Sequence, residues 1–242
     1  MRLLTFNTLF RGDVRARLRA LGGVLAESDF DVVCLQELMY RSHLRLVRQT
    51  SGLPYAAATG AVMLHGGLAI LSRTPIRHRF ARFPLRPPQR PEWLMRKGAQ
   101  LAAVEVRGRR YGIVNTHLSA NRDDDWSEGN RYTTVERAEL ADLARWIDGD
   151  TSVVVGDFNV PRESPLLAEF VAATGLRDAL AGDVRPTYRP TPAWPNPPAF
   201  DHVLVRPPLT ARAELVFEEG VRLADGRQAY LSDHFGVAAE LR

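Results

Sequence analysis

The 242-residue chain has one cysteine, Cys34, one lysine, Lys97, and no apolar run near the roughly 20 residues that a helix needs to cross a bilayer. A lone cysteine excludes an internal disulfide framework. Its place inside the run Val32–Leu35 marks a packed thiol rather than a nucleophile. With lysine nearly absent, arginine carries the positive charge, and the formal net charge is +4. That surplus is compatible with an anionic partner, nucleic acid or a phospholipid surface, but composition alone can produce it. The opening MRLLTFN shows no charged leader with a cleavage site, so the expected compartment is the cytoplasm, with no transmembrane segment and no obligate protein partner inferred. Apolar residues make up 45% of the chain, enough for one substantial core, and no repeat or compositional break divides it. A single domain spanning 1–242 is expected.

What is present is a series of short β-branched segments. RLLTF (2–6), DVVCLQ (31–36), LAILS (68–72), LAAVEV (101–106), YGIVNTH (111–117), SVVVG (152–156) and HVLVR (202–206) read as strands. Several are apolar on successive residues, the pattern of strands covered on both faces in a layered α/β structure. Helical spacing places Val14, Leu18, Leu21 and Leu25 on one stripe behind Asp13 as N-cap, with Arg15, Arg17 and Arg19 facing elsewhere. A second helix is predicted over 133–147, and a third over 165–174, opened by Ser164 and Pro165 and closed by Gly175. The proline-crowded stretches 82–93 and 185–200 read as long loops near a site.

The strands share a feature at their ends. VVVGDFN runs a buried strand into Gly156, expected to turn the backbone, then Asp157 and Asn159. Asn7 ends the first strand, Glu37 the second, and His117 ends IVNTH. Asp201 precedes HVLV, and Asp233 and His234 precede FGVAAE. Open α/β sheets place ligand sites at such ends. Hydrolysis of a phosphate ester requires a base for the attacking water, donors for transition-state charge and neutralisation of phosphoryl oxygens. A carboxylate and an amide two residues apart suit a water and an oxyanion. Oxygen ligands without a Cys or His cluster favour Mg²⁺ or Mn²⁺ over Zn²⁺.

In order, TFNTLF, LQE, GLAILSR, NTHLS, GDFN, DHVLV and SDHFGV resemble the endonuclease/exonuclease/phosphatase superfamily from Asn7 to His234. The resemblance implies a two-sheet α/β sandwich with flanking helices, a deoxyribonuclease-like four-layer fold with its site at one edge. It also implies a metal-dependent hydrolase acting on phosphate esters, most simply a phosphodiesterase. Glu37 is the leading metal ligand, with Asn7 and Asp233 close to the same ion, directly or through water. His234 becomes the central imidazole held by Asp201, and His117 a second phosphate contact. Asp157 orients or deprotonates the water, Asn159 donates to a non-bridging oxygen, and Arg96 and Lys97 are substrate contacts.

The branch stays open. RKGAQLAAVEV followed by NTHLSA resembles sphingomyelinases, although Ser119-Ala120-Asn121 replaces their usual continuation. Leu9 stands where abasic-site endonucleases carry aspartate. The substrate is a phosphate ester of either nucleic acid or a phospholipid headgroup, with a phosphomonoesterase and a catalytically idle binder as alternatives. Residues 73–97 hold seven arginines and one lysine against a single acid, with Phe80, Phe83 and Trp93 interspersed, suited to phosphate tracking, to anionic lipid or to a plain solvated loop. The acidic run 121–129 reads as an exposed loop in preference to a second ion site.

Overall fold

The computed structural model describes residues 1–242. The chain begins with β1 (Arg2–Asn7), α1 (Val14–Ala26), β2 (Val32–Gln36), α2 (Arg41–Ser51), β3 (Tyr55–Ala57) and β4 (Ala69–Ser72). It continues through β5 (Arg77–Arg82), α3 (Arg90–Met95), β6 (Gly98–Val106), β7 (Arg109–His117), α4 (Arg131–Trp146) and β8 (Thr151–Asp157). The last third holds α5 (Pro165–Thr174), β9 (Arg177–Asp178), β10 (Asp201–Val205), β11 (Ala211–Val216), the short pair β12 (Val221–Arg222) and β13 (Gln228–Ala229), and β14 (Gly236–Leu241). Two six-stranded sheets result, ordered β11-β14-β1-β2-β4-β3 and β5-β6-β7-β8-β10-β9.

Side-chain alternation explains the unbroken apolar runs. Leu3, Val32, Cys34 and Ile70 point between the sheets and meet Ile113, Val153, Val155 and Val203 of the second sheet. Their neighbours Leu4, Val33, Leu35 and Leu71 point outward and are covered by Leu18, Leu21 and Leu25 of α1 and by Leu44 and Val47 of α2. On the far side, Val114, Val154 and Leu204 pack beneath Leu140 and Leu143 of α4 and beneath Leu166, Leu167 and Phe170 of α5. Four layers therefore stack helix, sheet, sheet, helix, as the sandwich reading expects. Cys34 lies in the middle layer, where burial pushes its thiol up, away from the reactive thiolate.

Strand register decides which polar tips meet. In the second sheet β7 and β8 run parallel with His117 opposite Asp157, while β8 and β10 run antiparallel with Asp157 opposite Asp201. Gly98 pairs with His117 across β6 and β7, which sets Lys97 beside that histidine. In the first sheet Asn7 lies opposite Gln36, so Glu37 leaves β2 at the same level. A polar bridge fixes one sheet against the other below this edge. Gln36 Nε2 donates to Asn115 Oδ1 at 2.7 Å, and Asn115 Nδ2 donates to the carbonyls of Leu35 and Ala69.

The structure departs from several expectations. Gly156 does not turn the chain; it is a paired strand residue at φ +142°, and a Cβ there would meet the Thr116 carbonyl oxygen at 1.9 Å. Close approach of β7 requires glycine, and the turn falls on Asn159 at φ +52°. Asp13 makes no side-chain cap on α1; its carboxylate pairs with Arg227. Arg17 is buried rather than facing solvent. The proline-rich stretch 82–93 is not wholly loop, because α3 starts at Arg90 with Pro91 in its first turn, where a missing N–H leaves no helical bond unmade. Helix α2 and strands β5 and β11 are not legible in the sequence because arginine dominates or interrupts their apolar spacing. No helix is long and apolar enough to cross a membrane.

Candidate active site

A cavity of about 330 Å³ opens at the edge where the two sheets converge. It collects Glu37, Lys97, His117, Asp157, Asn159, Asp233 and His234 from segments spread over the whole chain. Asn7 reaches it from β1, and Asp201 lies one layer deeper against His234. A second depression of about 300 Å³, lined by Arg77, Arg79, Arg110 and Asp150, lies at the other end of β7 and β8 and contains none of these groups.

Asp157 is the hub. Its Oδ2 accepts from Asn7 Nδ2 at 2.9 Å, with His117 Nε2 at 3.6 Å and His234 Nε2 at 3.7 Å. Burial is the main cause that raises this carboxyl, against the opposing pull of His234. His234 Nδ1 donates to Asp201 Oδ2 at 2.9 Å, which fixes the tautomer and turns Nε2 toward Asp157. Burial works against the imidazolium, but Asp201 and Asp157 outweigh it and push His234 up to about 10. His117 behaves oppositely, held well below its ordinary value by burial and by Lys97. Lys97 Nζ donates to His117 Nε2 at 3.0 Å and to the Leu118 carbonyl at 2.7 Å, and pairs with Glu92 at 2.6 Å. The single lysine of the chain is therefore a buried cation of the site. One imidazole is built to carry charge and the other to stay neutral.

The remaining expected residues are placed unevenly. Asn159 lines the cavity, but its Nδ2 donates to the Leu118 carbonyl at 2.9 Å, leaving one N–H of the amide for another acceptor. Glu37 Oε2 accepts from the Phe10 N–H, and Glu37 itself sits at φ +57°. Asp233 accepts from the Tyr188 hydroxyl at 3.2 Å. Arg96, expected as a substrate contact, is exposed and outside the cavity, because it is the left-handed residue that ends α3 and turns its side chain to the surface. Leu9, Glu37, Asp124 and Asn159 all line the cavity with positive φ, a conformation costing non-glycine residues about 1–3 kcal/mol each and concentrated at functional sites.

No three His, Cys, Asp or Glu side chains gather into an all-protein ion cage. The donors on the wall are one half-buried carboxylate, Glu37, with the Asn7 amide and Asp233 nearby. That set fits Mg²⁺ or Mn²⁺, which retain waters and take one or two carboxylates, and it does not fit Zn²⁺.

Several contributors are not legible as motifs. Tyr188, Trp194 and Phe200 line one wall as a continuous aromatic cluster, with the Tyr188 ring 5.0 Å from that of His234 and Trp126 5.7 Å from Phe200. Glu92 reaches Lys97 from α3. Arg17 donates to the carbonyls of Thr8, Leu9, Arg11 and Leu231, tying the loop after β1 to the segment before His234. Arg189 donates to the Ser232 carbonyl and lies between the rings of Tyr230 and Phe235. The only sequence signal for these would have been an arginine on an otherwise apolar helical stripe and a proline-rich loop with three aromatics.

Comparison with known proteins bears on the family and the fold. Residues 4–234 match the Endonuclease/Exonuclease/phosphatase family. A putative neutral sphingomyelinase of Drosophila melanogaster is 22% identical over 95% of this chain and 57% of its own length. An inositol phosphosphingolipids phospholipase C of Schizosaccharomyces pombe is 33% identical over 73% of this chain and 45% of its own. The chain thus spans about half the length of these curated relatives. Among solved structures, a Staphylococcus aureus beta toxin variant with bound magnesium ions superposes with a TM-score of 0.73 at 17% identity, covering 98% of each chain. D. rerio TDP2 complexed with a single-strand DNA product superposes with a TM-score of 0.76 at 18% identity, covering 100% of this chain and 98% of the other. With a match running from β1 to His234 and the same layered sandwich, the chain belongs to the endonuclease/exonuclease/phosphatase family.

Proposed function

We propose that this chain is a divalent-metal-dependent phosphodiesterase that hydrolyses a lipid-headgroup diester by direct attack of an activated water. The observation that carries the reading is the meeting of Asn7, His117 and His234 around one oxygen of Asp157, in a cavity that also contains Glu37. Glu37 would hold Mg²⁺ or Mn²⁺, with Asn7 and Asp233 beside it, directly or through water. Such an ion, when bound, supplies neutralisation of phosphoryl oxygens.

The protein groups divide the remaining work. Asp157, an acceptor facing the cavity, orients the water and takes its proton. His234, anchored through Nδ1 by Asp201, presents Nε2 as a donor to the scissile phosphate. Neutral His117 would give that phosphate a second contact through Nε2 in its Nε2–H tautomer, exchanging the bond from Lys97 for one to a phosphoryl oxygen while Lys97 keeps Glu92 and the Leu118 carbonyl. The free N–H of Asn159 donates to a non-bridging oxygen. The aromatic wall of Tyr188, Trp194 and Phe200 covers the organic part of the ester and excludes water.

The named activities of both curated relatives favour a sphingolipid-type diester. A nucleic-acid diester is the second reading, favoured by the basic stretch 73–97. The test is release of p-nitrophenol from bis-p-nitrophenyl phosphate with Mg²⁺, Mn²⁺ or EDTA, followed by sphingomyelin, inositol phosphosphingolipid, single-stranded DNA and a monoester. Metal-dependent cleavage of a sphingolipid above DNA is expected. Silence on every diester would leave a binding protein, and preference for DNA would move the substrate to nucleic acid.

A further inference from the structure

Helix α3 has two faces with different duties. Pro91, Glu92 and Met95 turn inward and line the cavity. Trp93 and Leu94 turn outward, 37% and 51% exposed, and Leu85 of the preceding loop is 42% exposed. Leu85 and Trp93 share one shallow depression with Arg82 and Arg96, and the Arg86 guanidinium lies over the Trp93 ring at 4.9 Å. Arg90 is exposed at the start of the helix. Three large apolar side chains of α3 and the loop before it thus stand at the surface among four exposed arginines, one of which, Arg86, lies along the Trp93 ring. Apolar side chains of this kind enter the headgroup boundary of a membrane, while arginine stems lie alongside them and place their charge among anionic lipids.

We propose that α3 and the loop before it form a docking surface for an anionic phospholipid bilayer, holding the mouth of the cavity against the headgroup layer. The inference rests on the lipid-diester reading for its purpose but draws its support from exposure and charge. A nucleic-acid strand is the poorer occupant. Base stacking uses successive free aromatic faces, whereas here Phe83 is buried, Phe80 is half-buried, and Arg86 already covers the Trp93 ring. Leu85 and Leu94 offer no stacking face at all.

The experiment is co-sedimentation of the full chain with phosphatidylcholine vesicles, with and without phosphatidylglycerol, in EDTA so that turnover does not change the lipid. Binding to the mixed vesicles and little to phosphatidylcholine alone is expected. Trp93→Ala with Leu94→Ala should weaken it at least about tenfold, from the loss of buried apolar surface. Arg86→Gln with Arg90→Gln should weaken it about fivefold for each arginine lost. None of these residues lines the cavity, so cleavage of bis-p-nitrophenyl phosphate should match the parent protein. Equal binding to both vesicle types would overturn the proposal, as would variants that bind like the parent. Loss of single-stranded oligonucleotide binding with vesicle binding intact would assign the surface to nucleic acid. An absence of diester cleavage in the parent protein would sink only the catalytic reading, because the vesicle result stands independently.

Discussion

The cavity has two halves built on different principles. One half consists of strand tips: Asn7, His117, Asp157 and Asp201 are buried, His117 and Asp201 lie opposite Asp157 in register, Asn7 reaches Asp157 from the other sheet, and Asp201 anchors His234. The other half consists of loops: Phe10, Arg11, Arg122 and Asp124 are exposed, and Trp194 comes from a proline-rich segment. On the proposed function, the groups that would hold the reacting atoms are fixed by sheet hydrogen bonds, and the groups that would meet the variable part of a substrate stand where sequence can change without disturbing the core. This division suits a layered fold that persists in solved structures only 17% and 18% identical to this chain.

Four measurements bear on that division. The largest effect is expected for His234→Ala, which should lower turnover of a soluble diester by about 10² to 10⁴-fold with little change in KM. A loss confined to KM would show that His234 binds the substrate without acting in the chemical step. Next is Arg17→Leu, at the joint between the halves. Removing its bonds to four carbonyls should destabilise the protein by about 2–4 kcal/mol, read by chemical denaturation. An unchanged denaturation midpoint would show that the loop after β1 is held by other contacts.

Trp194→Ala probes the loop half. It should change bis-p-nitrophenyl phosphate turnover by less than about tenfold while raising KM for a larger headgroup diester by about tenfold, the effect of one lost aromatic contact. Should Trp194→Ala cost as much kcat as His234→Ala, the two halves are not separable. The smallest effect is expected below the loop half, at Glu136 of α4. Both of its carboxylate oxygens are buried without a hydrogen-bond partner, with Asn121 and Trp126 beside them. Burial, then the neighbouring Glu139, raises this carboxyl to about 9. The folded protein holds a proton that the unfolded chain releases above its ordinary value of 4.5, so this contribution is complete below that pH and is lost as pH rises through about 9. Glu136→Gln should therefore raise Tm at pH 8 by at least about 2 °C, the shift 1 kcal/mol produces at this length, and leave it unchanged at pH 4.5. An equal shift at both pH values would separate the effect from ionisation.

The halves also differ in how far they could be read in advance. The strand-tip residues announced themselves as polar side chains closing β-branched runs, a pattern local in sequence because a strand delivers its last residues to the sheet edge. Glu92, Arg17 and Tyr188 carried no such mark. Tyr188 acts through the Asp233 carboxylate and Arg17 through the Leu231 carbonyl, both far along the chain, while Glu92 reaches Lys97 only because the left-handed Arg96 ends α3 between them. Arg96 was misplaced for the same reason in reverse: its neighbour Lys97 turns into the site, and a left-handed backbone at the end of α3 turns Arg96 out.

By itself the sequence determined the apolar central strands, their coverage on both faces, the polar residue at each tip and hence the chemistry on offer, because periodicity and β-branching act within a few residues of chain. Only the tertiary structure decided which tips became neighbours, which imidazole keeps its proton and which side of α3 faces water. Those outcomes depend on register between strands and on burial, and both come from contacts between residues far apart along the chain.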